Sequence, residues 1–593
     1  MYSHFVHCFL LFDLIPLTLC VCVCQLGSDY IVHETRHNLQ TRMFLDLPWD
    51  VLWRSFGYAP SPSWGQVNRQ FRAHFAHKWV RTALTSALSP RCLRDQVHRW
   101  RGRIEILDIT SANEEGLYAL QHLADACPHL SRFSLSTRSS IRCCHATAMN
   151  RMLCGSHIMT HFALELLFPG SAPLPCVDGV DDGLISLFRV GVQHIAKNLQ
   201  EFSLTLRGCE LYDQAATRIV EVLPPEHMPQ LRRLTLCLSH NNLDVCGARV
   251  LARWVASLPA LCDVTIDMAH NRGLPGQLAP IFSVALQSLK LHALSVRWGS
   301  TQTPYGHRVP PFGFQHSTLQ RVHLDIGFAF AEDVLALLLA IPSTIQCLSL
   351  RTNTHCFTSY PQHEVVYTTA ILPVSVLGGA FKHYTRLRRL SLDLTGRCGP
   401  DTLRSLASDP TLVERLDGLR RVRLHVGRCH GRALVDVCSL LSRWGPTVTE
   451  WDIGMSGDSM TDQSATTLAM HLARCHGMQH LHLDVSHNRI GPRGWTSLVD
   501  AIRKMGGLRT LHFRCNHNPI GHAAPAAIFE SVRVIHIELK DCNIRGVDHW
   551  IAHTIRCNLV AAAVKEWTLV LSDNDLKPYQ CECMRRLGWT VVC

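Results

Sequence analysis

Histidine, aspartate and arginine recur at fixed places in a repeating Leu-x-Leu pattern, and these are the residues here that could do chemistry. His482, His512 and His536 hold one such place in three successive copies. Three imidazoles brought close together disfavour simultaneous protonation. They suit a pH-sensitive contact, a transition-metal ion if geometry allows, or a plain polar patch. A second place holds Asp267, Arg297, Asp325, Arg351, Asp393, His425, Gly454, Asp484, Arg514 and Glu538. Its signs alternate over most of its length, which fits a ladder of ion pairs or a polar strip that recognises a partner. A third place holds Arg233, Arg321, Arg389 and Arg421. With Arg386, Arg388, Arg420 and Arg423 it makes the middle of the chain basic, a charge that could meet an acidic protein surface. No aromatic residues are interleaved with these arginines, so nothing supports nucleic acid as a partner.

No catalytic signature accompanies these residues. The sequence has no phosphate-binding glycine loop, no nucleophile elbow and no paired-histidine zinc motif. No cofactor and no metal is expected. The 26 cysteines are scattered, and the close pairs lack zinc-finger spacing. Reduced thiols packing as small apolar groups are the expectation. The chain has 593 residues, a formal net charge of +11, 47% hydrophobic residues and 18% charged ones. That composition excludes a largely disordered chain and supplies ample core. The charge excess is too mild over this length to argue for nucleic acid.

The elements that would position these side chains are repeats. LRRLTLCLSHNNLDVCGARVLARWVASLP from Leu231, MQHLHLDVSHNRIGPRGWTSLVDAIRKMGG from Met478 and LRTLHFRCNHNPIGHAAPAAIF from Leu508 share one pattern. The same start recurs at Ile104, Leu130, Leu199, Leu261, Leu291, Leu319, Ile345, Leu387, Leu419, Val448, Val532 and Val564. Alternation over Leu234, Leu236 and Leu238 predicts a half-buried strand, and the 248–254 stretch has helical spacing. One strand and one helix cannot bury their apolar faces alone, but a stack of such units can. Three residues after the last inward strand residue stand Cys209, Asn241, Asn271, Cys429, Asn488, Asn518, Cys542 and Asn574. Such a place needs a small side chain that satisfies turn backbone groups.

This mix of Asn and Cys, with the unit length, resembles the ribonuclease-inhibitor subtype of leucine-rich repeats over roughly residues 104 to 580. The resemblance implies an α/β solenoid shaped as a horseshoe, with a parallel sheet inside, helices outside, and a protein partner on the concave face. On that face would lie Asp325, Arg351, Asp393, Arg389, Arg421, Arg423, His482, Asp484, His512, Arg514, His536 and Glu538. Stretched spacing predicts long loops or degenerate repeats near 137–198 and 352–386, and Pro and Gly predict a loop at 301–315.

Ahead of the repeats, residues 44–82 read FLDLPWDVLWRSFGYAPSPSWGQVNRQFRAHFAHKWVRT. Pro48 suits the first turn of a helix carrying Val51, Leu52 and Phe56. Val67, Phe71, Phe75 and Trp79 recur every four residues, an amphipathic helix with an aromatic stripe. These two helices could simply cap the first repeat. They also resemble an F-box, the small helical module that binds a Skp-type adaptor of a cullin–RING ubiquitin ligase. The resemblance rests on the Leu-Pro opening, the Asp-Val-Leu-x-x-x-Phe core, the Val67-Asn68-Arg69-x-Phe71-Arg72 run and Trp79. It implies that Leu47, Pro48, Val51, Leu52 and Phe56 contact the adaptor, and that Val67, Phe71 and Trp79 complete or hold the module. The segment between Pro60 and Val67 is short, and the family's leucine-rich middle stretch is missing.

The expected organisation is an apolar leader at 1–42, an F-box-like module at 43–90 and a solenoid of about 15 units at 91–593. The apolar run 5–27 could be a signal or anchor, giving a secreted or membrane-held protein. Asp13 and Pro16 interrupt it, however, and Met43 stands as an alternative start. A cytoplasmic or nuclear location follows from the thiols and from the F-box resemblance. The resulting function is substrate recognition for a ubiquitin ligase. A generic repeat scaffold, a receptor-like binding protein and a regulator of a small GTPase stay open as alternatives.

Overall fold

The computed structural model describes residues 81–84, 105–112, 127–167, 182–271, 290–297, 318–327, 338–352, 383–394, 399–408, 418–427, 433–521, 532–544, 566–574, 578–586 and 590–592, with a few single residues between them. The chain divides into two compact units, Met1–Trp79 and Val80–Cys593, and the described residues belong to the second. The F-box-like residues Leu47, Pro48, Val51, Leu52, Phe56, Val67, Phe71 and Trp79, the leader at 1–42, and the candidate loop at 301–315 lie outside the described residues, as does nearly all of 352–386.

Leucines at alternate positions decide the strands. Leu234 and Leu236 are buried, while Thr235 and Cys237 between them point to the opposite side. The same alternation makes Asp263–Asp267, Arg389–Asp393, His480–Asp484 and their counterparts. Eighteen strands form one sheet among the described residues, each parallel to its predecessor and successor in sequence. Fifteen of them begin two residues after the repeat starts read from the sequence. The other three are Arg81–Leu84, His161–Leu167 and Thr590–Val592.

Two of these strands correct the expected organisation. Of the two alternatives for residues 137–198, a long loop or a degenerate repeat, the described part is a repeat. These residues contain the helix Cys143–Cys154 and the strand His161–Leu167, whose Phe162, Leu164 and Leu166 enter the core as Phe202, Leu204 and Leu206 do in the next strand. The sheet also begins before residue 91, because Arg81–Leu84 pairs in register with Ile106–Ile109.

In the connections that are described, helices such as Val245–Ala256 and Pro492–Arg503 return the chain to the start of the next strand, as parallel pairing requires. The helix Val245–Ala256 opens where the Asp244 carboxylate accepts the Cys246 N–H at 2.7 Å, and it buries Leu251, Trp254 and Val255. The helix Pro492–Arg503 opens on a proline, whose missing N–H would be unpaired there anyway. It lays Trp495 flat on Phe513 of the next strand, ring centroids 5.0 Å apart, so strand and helix share one core. No helix among the described residues is long and apolar enough to cross a membrane.

The turns after the strands are locked by a ladder of amides. The Asn241 amide donates to Leu206 and Leu238 carbonyls at 2.7 and 3.0 Å and accepts the Leu211 N–H at 3.1 Å. Asn271, Asn488, Asn518 and Asn574 repeat that pattern, each reaching back one repeat. Cys542 substitutes a thiol, which donates to the Cys515 carbonyl at 3.1 Å, and Cys209 points a thiol at the Leu166 carbonyl. Cys429 lies outside the described residues. In most of these turns the residue just before the ladder position adopts the left-handed conformation, including His240, His270, His487 and His517 at φ of 54° to 59°. The repeating strand, helix and amide ladder make this unit an α/β leucine-rich-repeat solenoid.

Six of the described cysteines pack as the sequence suggests, while Cys143, Cys144 and Cys246 are free but exposed. Cys127, Cys209, Cys438, Cys475, Cys515 and Cys542 are free and buried, and burial pushes their thiols up, Cys127 to about 12. Cys581, in the last helix, is instead disulfide-bonded.

Candidate partner-binding face

One-to-one register carries every odd strand position onto the solvent side of the sheet. The row of Cys237 continues through Asp267, Arg297, Asp325, Arg351, Asp393, His425, Gly454, Asp484, Arg514 and Glu538. Neighbours along it sit about 4.8 Å apart, within reach of each other's charge. Arg297 bridges Asp267 at 3.5 Å and Asp325 at 3.0 Å, and Arg351 bridges Asp325 at 3.7 Å and Asp393 at 3.3 Å. Five residues thus form one unbroken chain of ion pairs across five strands. Asp325, at its centre, is only 9% exposed, and burial pushes its carboxyl above the usual range although two guanidinia face it. The row nearest the strand starts is also paired. Arg233 bridges Glu201 and Asp263, and Arg321 reaches across one strand to the same Asp263 at 3.3 Å.

The second half of the face is organised by two acids. Burial opposes the charge of Asp452, yet hydrogen bonds from His425 Nε2 and His482 Nδ1, both 3.0 Å from its Oδ1, hold the carboxyl well below the usual range. Arg423 Nε contacts its other oxygen at 3.0 Å. Glu538 repeats the arrangement. Burial works against it, but His536 at 2.9 Å, the Asn516 amide at 3.3 Å and Arg514 at 3.0 Å bring it down to about 2. His512 stands between these two centres. Its ring lies 5.9 Å from His482 and 5.5 Å from His536, and burial together with those two imidazoles keeps it below the usual histidine range.

The three histidines therefore lie side by side on successive strands, edge-on or tilted to one another, and are not gathered around a common point. His482 and His536 turn to opposite acids. Among the described residues, the three potential metal ligands that do approach within 4.8 Å of one another are Asp213, Asp244 and Cys246. The Asp244 carboxylate already caps its own helix there. Asp484 keeps its place in the row, and its carboxylate also accepts the Ser486 N–H at 3.0 Å, as Asp267 does from Ala269. Arg389 and Arg421 lie side by side in register, with Arg421 drawn to Glu450 at 3.3 Å.

Sequence reasoning did not single out two features of this face. Asp452 is the hub of its half, a role that depends on side chains crossing from row to row. The left-handed histidines form stacked pairs, His240 on His270 and His487 on His517, each with centroids 4.2 Å apart. The signal was present as a repeated His-Asn dipeptide at 240, 270, 487 and 517.

No protein-family model and no curated protein matches this sequence. Among solved structures, the chain is similar to an internalin (inlF) from Listeria monocytogenes, with 10% identity and a TM-score of 0.31 over 78% of this chain and 94% of that one. It is similar also to a chain of the Rad7 and Elc1 complex in yeast, with 11% identity and a TM-score of 0.33 over 85% of this chain and 98% of that one. Likenesses this distant assign neither a partner nor an activity.

The electrostatics of the face predict acid sensitivity. Below pH 6.5 an unfolded His512 takes up a proton that the native site resists, so native stability falls as pH drops through that value. Glu538, ordinarily near 4.5, adds stability above that value, and this is lost as pH falls toward about 2. Thermal melts in steps from pH 7.5 to pH 3 should show Tm falling in two stages. His512→Asn should remove part of the upper stage and leave the lower one. Identical profiles for the variant and the parent chain would contradict this assignment.

Proposed function

We propose that this protein recognises another protein on the exposed face of its sheet and joins that partner to a ubiquitin ligase. The observation that carries the first half is the chain Asp267–Arg297–Asp325–Arg351–Asp393, which fixes charged side chains across adjacent strands before any partner arrives. Ion pairs between exposed side chains contribute only about 0–1 kcal/mol each to stability. Their value in a rigid array is preorganisation, because side chains already held in place lose less freedom on binding. The Asn and Cys ladder and the unit length support assignment to the ribonuclease-inhibitor subtype.

The second half rests on the F-box resemblance at 43–90 and on its position ahead of the repeats. In this reading Leu47, Pro48, Val51, Leu52 and Phe56 contact a Skp-type adaptor, Val67, Phe71 and Trp79 complete the module, and the solenoid holds the substrate. The protein acts as a non-catalytic subunit, in the cytoplasm or nucleus.

The test uses the full chain with a purified Skp-type adaptor. The parent chain should retain the adaptor. A Leu47→Ala, Leu52→Ala, Phe56→Ala variant should lose it, and Arg351→Asp should retain it fully. If the parent chain does not hold the adaptor, the ligase reading fails, and a repeat scaffold is what stands.

A further inference from the structure

The ion-paired order of the exposed face gives way where four arginines of two neighbouring strands lie together. Along the row nearest the strand starts, Arg233 lies between Glu201 and Asp263, and Arg321 reaches Asp263. Arg389 has Cys347 on one side and Arg421 on the other. One step earlier in the same strands, the backbone aligns Gln346, Arg388 and Arg420: the Arg388 N–H donates to the Gln346 carbonyl and the Arg420 N–H to the Arg388 carbonyl, both at 2.8 Å. Arg386 adds a further exposed cation in the preceding turn. Among the described residues, no acid pairs with the side chains of Arg386, Arg388, Arg389 or Arg420. Like charges directly opposed on neighbouring strands destabilise a sheet. Four arginines on two neighbouring strands, with an acid among the described residues drawn to Arg421 alone, break that rule locally, and such a violation is expected where a site serves binding rather than folding.

Resting on the reading that this face binds protein, we infer that the cluster Arg388, Arg389, Arg420 and Arg421 docks a short acidic segment of the partner, through aspartate and glutamate carboxylates. The guanidinium fork matches a carboxylate with two parallel hydrogen bonds. The cluster is two strands wide, about 10 Å across. Glu450 and Asp452 bound it on the next strand, and Asp393 bounds it toward the strand ends. These acids repel a long polyanion and leave room for a few carboxylates. No Phe, Tyr or Trp stands among the outward residues of these strands or their neighbours, so bases would find no ring to stack on.

The test is fluorescence anisotropy on the full chain with three labelled probes: a short peptide of alternating glutamate and serine, its glutamine counterpart, and oligouridine. The glutamate peptide should bind, more weakly at higher salt, and the glutamine peptide should not. Reversing Arg388, Arg389 and Arg420 to Glu together should weaken binding by about tenfold or more. Arg493→Glu, on a helix away from the sheet, should leave it unchanged. Because the triple variant removes like-charge repulsion, it should melt no lower than the parent. Should it fail to fold, Arg389→Gln with Arg420→Gln provides the same comparison with a smaller loss. Equal binding by parent and variant, no binding of the glutamate peptide, or tighter binding of oligouridine each overturns the inference. None of these results bears on adaptor retention, which tests the ligase reading separately.

Discussion

Asn488→Ala should destabilise the solenoid by about 3 kcal/mol or more, because it removes five hydrogen bonds to buried backbone groups at once and deprives the Asp458 and Met460 N–H groups of their acceptor. The Asn488 amide accepts the N–H groups of Asp458 and Met460 at 2.9 and 3.0 Å. It donates to the carbonyls of Met455, Val485 and Ser486 at 2.9, 2.8 and 3.2 Å. These partners lie in two consecutive repeats, so the substitution loosens the seam between neighbours as well as its own turn. Asn488→Asp keeps the acceptor and loses the donor, and should fall between parent and Ala. Urea unfolding followed by circular dichroism reads this order, with Arg493→Ala as a surface control within about 0.5 kcal/mol of the parent. If Asn488→Ala unfolds at the same urea concentration as that control, the ladder is not what holds the turns.

Trp495→Ala should cost about 3–5 kcal/mol, the range for removing a buried aromatic ring. Trp495 is among the largest fully buried side chains and stacks on Phe513, so its loss leaves a cavity between helix and sheet. Its indole Nε1 is buried without a hydrogen-bond partner. Trp495→Phe therefore removes an unsatisfied donor along with some volume, and should cost less than about 1.5 kcal/mol. Equal losses for Phe and Ala would mean that the N–H matters more than the ring.

The strands were legible in the sequence because alternation with a period of two is a local signal, and it fixes both position and face. Fifteen strands follow from it directly. The strand His161–Leu167 carries the same alternation in Phe162, Leu164 and Leu166, but no Asn or Cys stands at the ladder position after it, and Pro169 and Gly170 follow instead. From spacing alone its segment therefore fits a degenerate repeat or a long loop equally well. The final strand holds one inward residue, Val591, too little to make a pattern.

The site was legible by row but not by contact. Alternating signs along the Cys237 row lead correctly to the pairs of Arg297 and Arg351. They cannot show that Asp452, one row over, collects His425, His482 and Arg423. Nor can they show that Arg321 skips Ala293 to reach Asp263. Those choices depend on side-chain length and on which neighbour is small. The contacts of the three histidines were hidden for the same reason: shared register places the rings side by side, while the hydrogen-bonding nitrogens of His482 and His536 follow the nearest acid.

Long-range order along the exposed face is best tested by pulsed electron paramagnetic resonance between nitroxides at Ser203 and Ser391. Both residues occupy the same row, six strand spacings apart. The 26 native cysteines rule out thiol labelling, so the labels enter through an unnatural amino acid. A narrow distribution at roughly 29 Å or slightly less is predicted from a spacing of about 4.8 Å per strand. A broad distribution, or one centred well beyond 35 Å on the same spacing argument, would contradict a single in-register face.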